Sequence, residues 1–106
     1  MVADTETVMQ LAKRYANDVR RVIPVDKVVL FGSYAKGTAD EHSDVDICFF
    51  LKTFGGKQRV EILIQLLGLI SEHKKACFEP LAYQTSELDN DNPFVKEILR
   101  TGIELS

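Results

Sequence analysis

The sequence predicts a small α/β or α+β domain, a short sheet carrying helices in the order α-β-(α)-β-α-β-α. Three observations lead there. Apolar residues recur at i, i+3/i+4 spacing through residues 8–23. Three short runs rich in β-branched and aromatic residues follow, at 27–31, 45–51 and 76–83. Helix-length apolar segments then separate the second run from the third and close the chain. A length of 106 residues suits one domain, residues 1–106. At that size roughly 60–70% of the unfolded surface is buried, enough for one core but not for a second, acceptor-holding module.

The elements follow in order. Asp4 or Thr5 can cap the first helix, whose stripe is Val8, Ala12, Tyr15, Ala16, Val19, Val22 and Ile23, and Pro24 ends it. Val28-Val29-Leu30-Phe31 reads as a buried strand within 27–31. Gly32-Ser33 opens a turn or short helix, and 36–43 is a polar loop. Residues 45–51 form a second strand, followed by a loop at 53–57 with Gly55-Gly56. The helix at 58–72 is apolar over an arc of roughly 220°, where one sheet face needs little more than ~100°. That width fits a helix wedged between the sheet and the first helix, or one that also meets another chain. His73-Lys74-Lys75 suits the negative end of this helix. A third strand spans 76–83. Asn92 caps a last helix with Pro93 at its first position and Gly102 just past its end.

Composition excludes several classes. The chain is 45% hydrophobic and 27% charged, with 13 Lys+Arg against 16 Asp+Glu and a formal charge of -3. The domain-wide basic footprint of a nucleic-acid binder is absent, so stable nucleic-acid binding is not expected. The N-terminus has neither the basic patch nor the apolar core of a signal peptide. The longest apolar stretch, 60–70, is broken by Glu61, Gln65 and Gly68 and is too short to span a bilayer. Cys48 and Cys77 fall in predicted strands without CxxC spacing and read as reduced core thiols of a cytoplasmic protein.

The chemistry concentrates in residues 32–47. Gly32 ends a strand without a side chain, so an anion can approach the backbone. Ser33 adds a hydroxyl and a backbone N–H at the start of a short helix, where a phosphate is favoured. By itself a Gly-Ser pair is usually a plain turn. Asp44 and Asp46 then stand one residue apart in a strand, so period-two geometry puts both carboxylates on one face, opposite Val45, Ile47, Phe49 and Leu51. Either these are two solvated acids at a strand end, or a cation neutralises them. Oxygen ligands shared with a substrate phosphate imply Mg²⁺.

Gly-Ser, ten residues, then Asp-x-Asp resembles the signature of the minimal nucleotidyltransferases of the DNA polymerase β superfamily. Gly37 and Ser43-Asp44-Val45-Asp46 also fit that pattern, as does the ending from Asn92-Pro93-Phe94 to Leu105. The resemblance covers about residues 25–106. At average residue frequencies the four fixed positions arise by chance in such a chain with a probability of roughly 10⁻³. The family resemblance implies a small mixed β-sheet flanked by helices and a third carboxylate on a later strand. Glu79, the one acid inside the third predicted strand, is the candidate; the alternatives are a loop acid (Glu87, Asp89 or Asp91) or none.

The implied reaction is nucleotidyl transfer, in which a hydroxyl attacks the α-phosphorus of a nucleoside triphosphate and pyrophosphate leaves. Asp44, Asp46 and Glu79 would be catalytic and hold two Mg²⁺ ions. Gly32 and Ser33 would bind the β/γ-phosphates. Lys36 reaches a phosphate or is a solvated loop lysine. Ser43 belongs to the nucleotide site, its hydroxyl hydrogen-bonding the loop beside the carboxylates. Tyr34 packs the short helix or lines the site, and His42 is solvent-exposed. Lys52, Lys57 and Arg59 contact triphosphate or an acidic partner, or form a solvated loop.

A free-standing chain of this size resembles the MNT antitoxins encoded beside HEPN-domain toxins. That likeness implies transfer of AMP from ATP to a toxin tyrosine in a hetero-oligomer. The alternatives are a non-catalytic antitoxin acting by binding, and a small-molecule nucleotidyltransferase of the aminoglycoside-modifying sort.

Overall fold

The computed structural model describes residues 5–40, 42–70, 77–89 and 91–105. The elements are α1 (Thr5–Val22), β1 (Val25–Phe31), α2 (Ser33–Lys36), β2 (Val45–Leu51), α3 (Arg59–Ile70), β3 (Phe78–Gln84), a 3₁₀ turn (Thr85–Asp89), α4 (Pro93–Thr101) and β4 (Ile103–Leu105). The strands form one mixed sheet in the order β3-β2-β1-β4. β1 runs antiparallel to both neighbours, while β2 and β3 are parallel and joined through α3. A parallel pair needs such a crossover, which is why the helix lies between them in sequence. The α+β reading of the sequence and its small mixed sheet hold.

Alternation along the strands sorts the core into two layers. Val28, Leu30, Val45, Ile47, Phe49 and Leu51 face α1 and α3. Val29, Cys48 and Phe50 face α4, where Val95 and Ile98 cover them. The sequence reading gave β2 one core face. The structure buries both, because β2 is an inner strand with helices on either side. The Tyr15 hydroxyl ties the first layer together by donating to the Leu66 carbonyl at 2.6 Å. Its ring meets Phe49 edge-on at 5.4 Å.

Several expectations are corrected. Val22 is 62% exposed, since the helix ends there and turns its last residue outward. Cys77 precedes β3 and is exposed, so only Cys48 is a core thiol; both are free. Burial pushes the Cys48 thiol up to about 12. β4 was not foreseen: three residues are too short to show a period, yet they add an antiparallel edge to β1. Gly102 leads into it with extended backbone rather than a left-handed cap. Glycine is required there because a Cβ would strike the Val29 side chain and lie 2.9 Å from the Leu30 carbonyl. Asn92 caps α4 as expected, accepting from the Phe94 and Val95 amides. The expected cap at Asp4 and the basic end at His73-Lys74-Lys75 lie outside the described residues.

The wide apolar arc of α3 is only partly used by the core. Ile62 and Leu66 are buried, whereas Val60, Ile64 and Leu67 are 57%, 63% and 53% exposed. At 100° per residue these three share the side of the helix opposite Ile62.

Candidate active site

Strand register builds the site. In the β2–β3 ladder Asp46 stands beside Glu79, and in the β1–β2 ladder it stands opposite Phe31. Partners in register share a sheet face, so Phe31, Asp46 and Glu79 form one row across three strands. Asp44, two residues before Asp46, falls on the same side. Two of the loop acids are engaged elsewhere: Glu87 is bound by Arg59 and Asp91 by Lys96. Of the candidate third acids, Glu79 is the one the fold brings to the aspartates.

Gly32 follows Phe31 and packs directly on Asp46. Its backbone, at φ 76° and ψ -152°, lies where only glycine is comfortable. A Cβ on Gly32 would collide with a carboxylate oxygen of Asp46. Ser33 begins α2, whose first internal bond runs from the Lys36 amide to the Gly32 carbonyl at 3.0 Å. A helix's first amides have no partner within it, so this turn presents N–H groups beside the carboxylates. Gly37, left-handed at φ 77°, closes the turn by donating to the Ser33 carbonyl.

The acids perturb one another. Asp46 is held above its ordinary value by burial first; Asp44's charge adds to this and a hydrogen bond from Glu79 opposes it. Glu79 is raised chiefly by the negative charge of Asp44, then by burial, hydrogen bonds to both aspartates and the charge of Asp46. Asp46 and Glu79, both shifted upward beside Asp44, make an oxygen-only edge of like charge. Among the described residues, no group of three or more His, Cys, Asp and Glu side chains closes into a metal cage. The donor set instead fits a hard divalent cation that completes its coordination with phosphate oxygens.

The remaining expected residues divide. Lys36 is exposed at the end of α2. Ser43 is committed to its loop: its hydroxyl accepts from the Asp40 amide at 2.9 Å and lies 3.3 Å from an Asp40 carboxylate oxygen. It shapes the approach to Asp44, as its expected loop bond implies, and that hydroxyl is already engaged. The Tyr34 side chain is buried in the core. His42 is exposed, and its amide donates to Asp40.

The basic cluster is placed far from the carboxylates. Arg59 grips Glu87 at 2.7 Å, donates to the Ala82 carbonyl and lies over the Phe54 and Tyr83 rings. Lys57 lines a cleft of about 210 Å³ at the Leu51 end of β2. At ~3.3 Å per residue a seven-residue strand puts this cleft roughly 20 Å from Asp44. Phe31 is the neighbour that the sequence reading missed, because cross-strand register leaves no local signal.

Comparison with known proteins agrees with this arrangement. The chain matches the nucleotidyltransferase domain family over residues 12–100. It belongs to that family. The nucleotidyltransferase match spans the Gly32-Ser33 turn, the Asp44/Asp46 pair and Glu79. The chain is 26% identical over 100 residues to a protein of Methanocaldococcus jannaschii named "Putative protein adenylyltransferase", covering 92% of this chain and 98% of that one. It also shares its fold with the crystal structure of "a putative nucleotidyltransferase" from Sulfolobus solfataricus. There the TM-score is 0.68 and the identity 19%, over 94% of this chain and 80% of that one. No helix among the described residues is long and apolar enough to cross a membrane.

Proposed function

We propose that this nucleotidyltransferase transfers AMP from ATP to a hydroxyl of a protein, and that the acceptor is a tyrosine of a HEPN-type toxin, neutralised by the modification. The observation that carries the reading is the row of Asp46 and Glu79, with Asp44 alongside and Gly32 packed on Asp46. The name of the Methanocaldococcus jannaschii relative supports AMP and a protein acceptor. The resemblance to MNT antitoxins supports the toxin, and the exposed aliphatic side of α3 supports assembly with another chain. A cytoplasmic setting follows from the need for ATP.

Each residue has a role in that reaction. Gly32, packed against the Asp46 carboxylate, brings the start of α2 close to it, and Ser33 offers its amide and hydroxyl to the β/γ-phosphates. Lys36, one turn on, approaches the same phosphates from solvent. Asp44, Asp46 and Glu79 would hold Mg²⁺, two ions being expected, which when bound neutralises phosphate charge and stabilises the attacking and leaving oxygens. Glu79, ionised, would ligate the nucleophile-side metal or accept the proton of the attacking hydroxyl. The acceptor oxygen bonds to the α-phosphorus as the bond to the β-phosphate oxygen breaks, and pyrophosphate departs. Positioning and charge neutralisation supply most of the acceleration.

The test incubates the chain with ATP, Mg²⁺ and a HEPN-type partner and weighs the partner. The expected result is a gain of AMP, abolished by Asp44→Ala/Asp46→Ala together with protection from the toxin. No gain, with the double variant equally protective, would make it a binding antitoxin. Turnover of a small hydroxyl compound without a protein partner would make it a small-molecule enzyme.

A further inference from the structure

Phe94 is out of place for a solvent-facing helix residue. It lies in the first turn of α4, whose buried line is Val95 and Ile98 and whose exposed side also carries Lys96, Glu97, Leu99 and Arg100. Yet it is 47% exposed. Its ring meets the ring of Phe31 edge-to-face, with centroids 6.1 Å apart and planes at 89°. Phe31 is itself only partly buried and stands opposite Asp46 on the same face of the sheet. The two rings thus continue the carboxylate row sideways, and the half-exposed Phe94 ring lies roughly 10 Å from Asp46, adding one cross-strand step to the ring spacing.

We propose that Phe31 and Phe94 form a stacking platform for the nucleobase of the bound nucleotide. The inference rests on the nucleotidyl-transfer reading and adds a base subsite to it. With the α-phosphate at Asp44 and Asp46, the ribose and base extend about as far as the Phe94 ring. A flat π-face is what an aromatic side chain offers a base without a hydrogen-bond code. Phe31 fixes the orientation of Phe94 from below, and the Asn92 cap fixes the helix turn that carries it.

The chain contains no tryptophan, so Phe94→Trp introduces a single tryptophan at the platform. ATP and inorganic tripolyphosphate, each with Mg²⁺, are titrated against this variant, against Phe94→Leu and against the native chain. ATP should change the Trp emission saturably, and tripolyphosphate should bind without changing it. Phe94→Leu, which keeps an apolar cover over Phe31, should weaken ATP roughly five- to fifty-fold. Its tripolyphosphate affinity and melting temperature should stay near native, and Phe94→Trp should restore ATP affinity. Native ATP affinity in Phe94→Leu, or equal losses for ATP and tripolyphosphate, would overturn the platform while leaving nucleotidyl transfer standing. Failure of the native chain to bind either compound would overturn both.

Discussion

Replacing Gly32 by alanine is the sharpest test of how the site is built, because two separate costs meet at one atom. The first is backbone strain. At φ 76° and ψ -152° a residue with a Cβ is disfavoured by about 1–3 kcal/mol. The second is steric. The new methyl would overlap an Asp46 carboxylate oxygen and lie 3.2 Å from its carbonyl-type carbon, so the aspartate must swing away. Leaving its rotamer costs about 0.5–1.5 kcal/mol more. The sum is about 1.5–4.5 kcal/mol, a large share of a small domain's stability. At about 4–8 °C per kcal/mol the melting temperature should fall by at least about 6 °C. Urea denaturation followed by circular dichroism gives the free energy directly. The decisive measurement is the cycle with Asp46→Ala. Removing the carboxylate relieves the steric part and leaves the strain, so Gly32→Ala should cost about 1 kcal/mol less in that background. Equal costs in both backgrounds would show that Asp46 is not what excludes the Cβ, and the packing described here would be wrong.

Two further outcomes are expected. Tyr15→Phe removes the buried bond to the Leu66 carbonyl that joins α1 to α3, and should lower stability by about 0.5–1.5 kcal/mol in denaturant titration with nucleotide binding unchanged. The acids give a pH signature whose sign follows from their upward shifts. The folded chain holds protons that the unfolded chain has released, so this contribution favours folding at low pH and is lost as pH rises through the folded values. With divalent cations chelated, the melting temperature should therefore decline as pH climbs out of the ordinary carboxylate range. The decline should shrink in Glu79→Gln, and Mg²⁺ should reverse it at neutral pH in the native chain. A melting temperature indifferent to Mg²⁺ and to Glu79→Gln would remove the electrostatic case for the site.

What the sequence disclosed depended on how local the signal was. β2 is legible to the residue, because Val45 to Leu51 is an unbroken strand-forming run behind a polar loop. The α4 cap is legible because Asn92-Pro93 is a local instruction, and the accepting bonds to Phe94 and Val95 carry it out. That Asp44 and Asp46 share a face follows from the strand period alone. That Glu79 joins them came from a family resemblance. The register that sets it beside Asp46 is a long-range pairing with no trace in either strand. The same absence hid Phe31 as a neighbour of the site. Arg59 looked like a free cation in a Gly-Gly loop, yet Glu87, twenty-eight residues on, binds it. β4 escaped notice because Ile103 to Leu105 becomes a strand only by pairing with β1.

The site lies where the cover of α4 stops. On the α4 face, β2 passes from Asp44 and Asp46 to Cys48 and Phe50, polar to apolar within one step. Its neighbour β3 changes at the same level, from Glu79 to Leu81, while β1 stays apolar from Phe31 to Val29. Val95 and Ile98 seal the apolar side of that line, so Asp46 is backed by low-dielectric protein and faces water only outward. Burial is accordingly the largest cause of its upward shift, ahead of the charge of Asp44. The same burial strengthens its attraction for any cation that approaches, since charges interact more strongly where water is excluded. A fully solvated pair of aspartates would bind a divalent ion weakly. A fully enclosed pair would stay protonated. Asp46, half-buried at the rim of α4 between the exposed Asp44 and Glu79, is a carboxylate that water only partly satisfies, a condition that favours a metal-bearing phosphate.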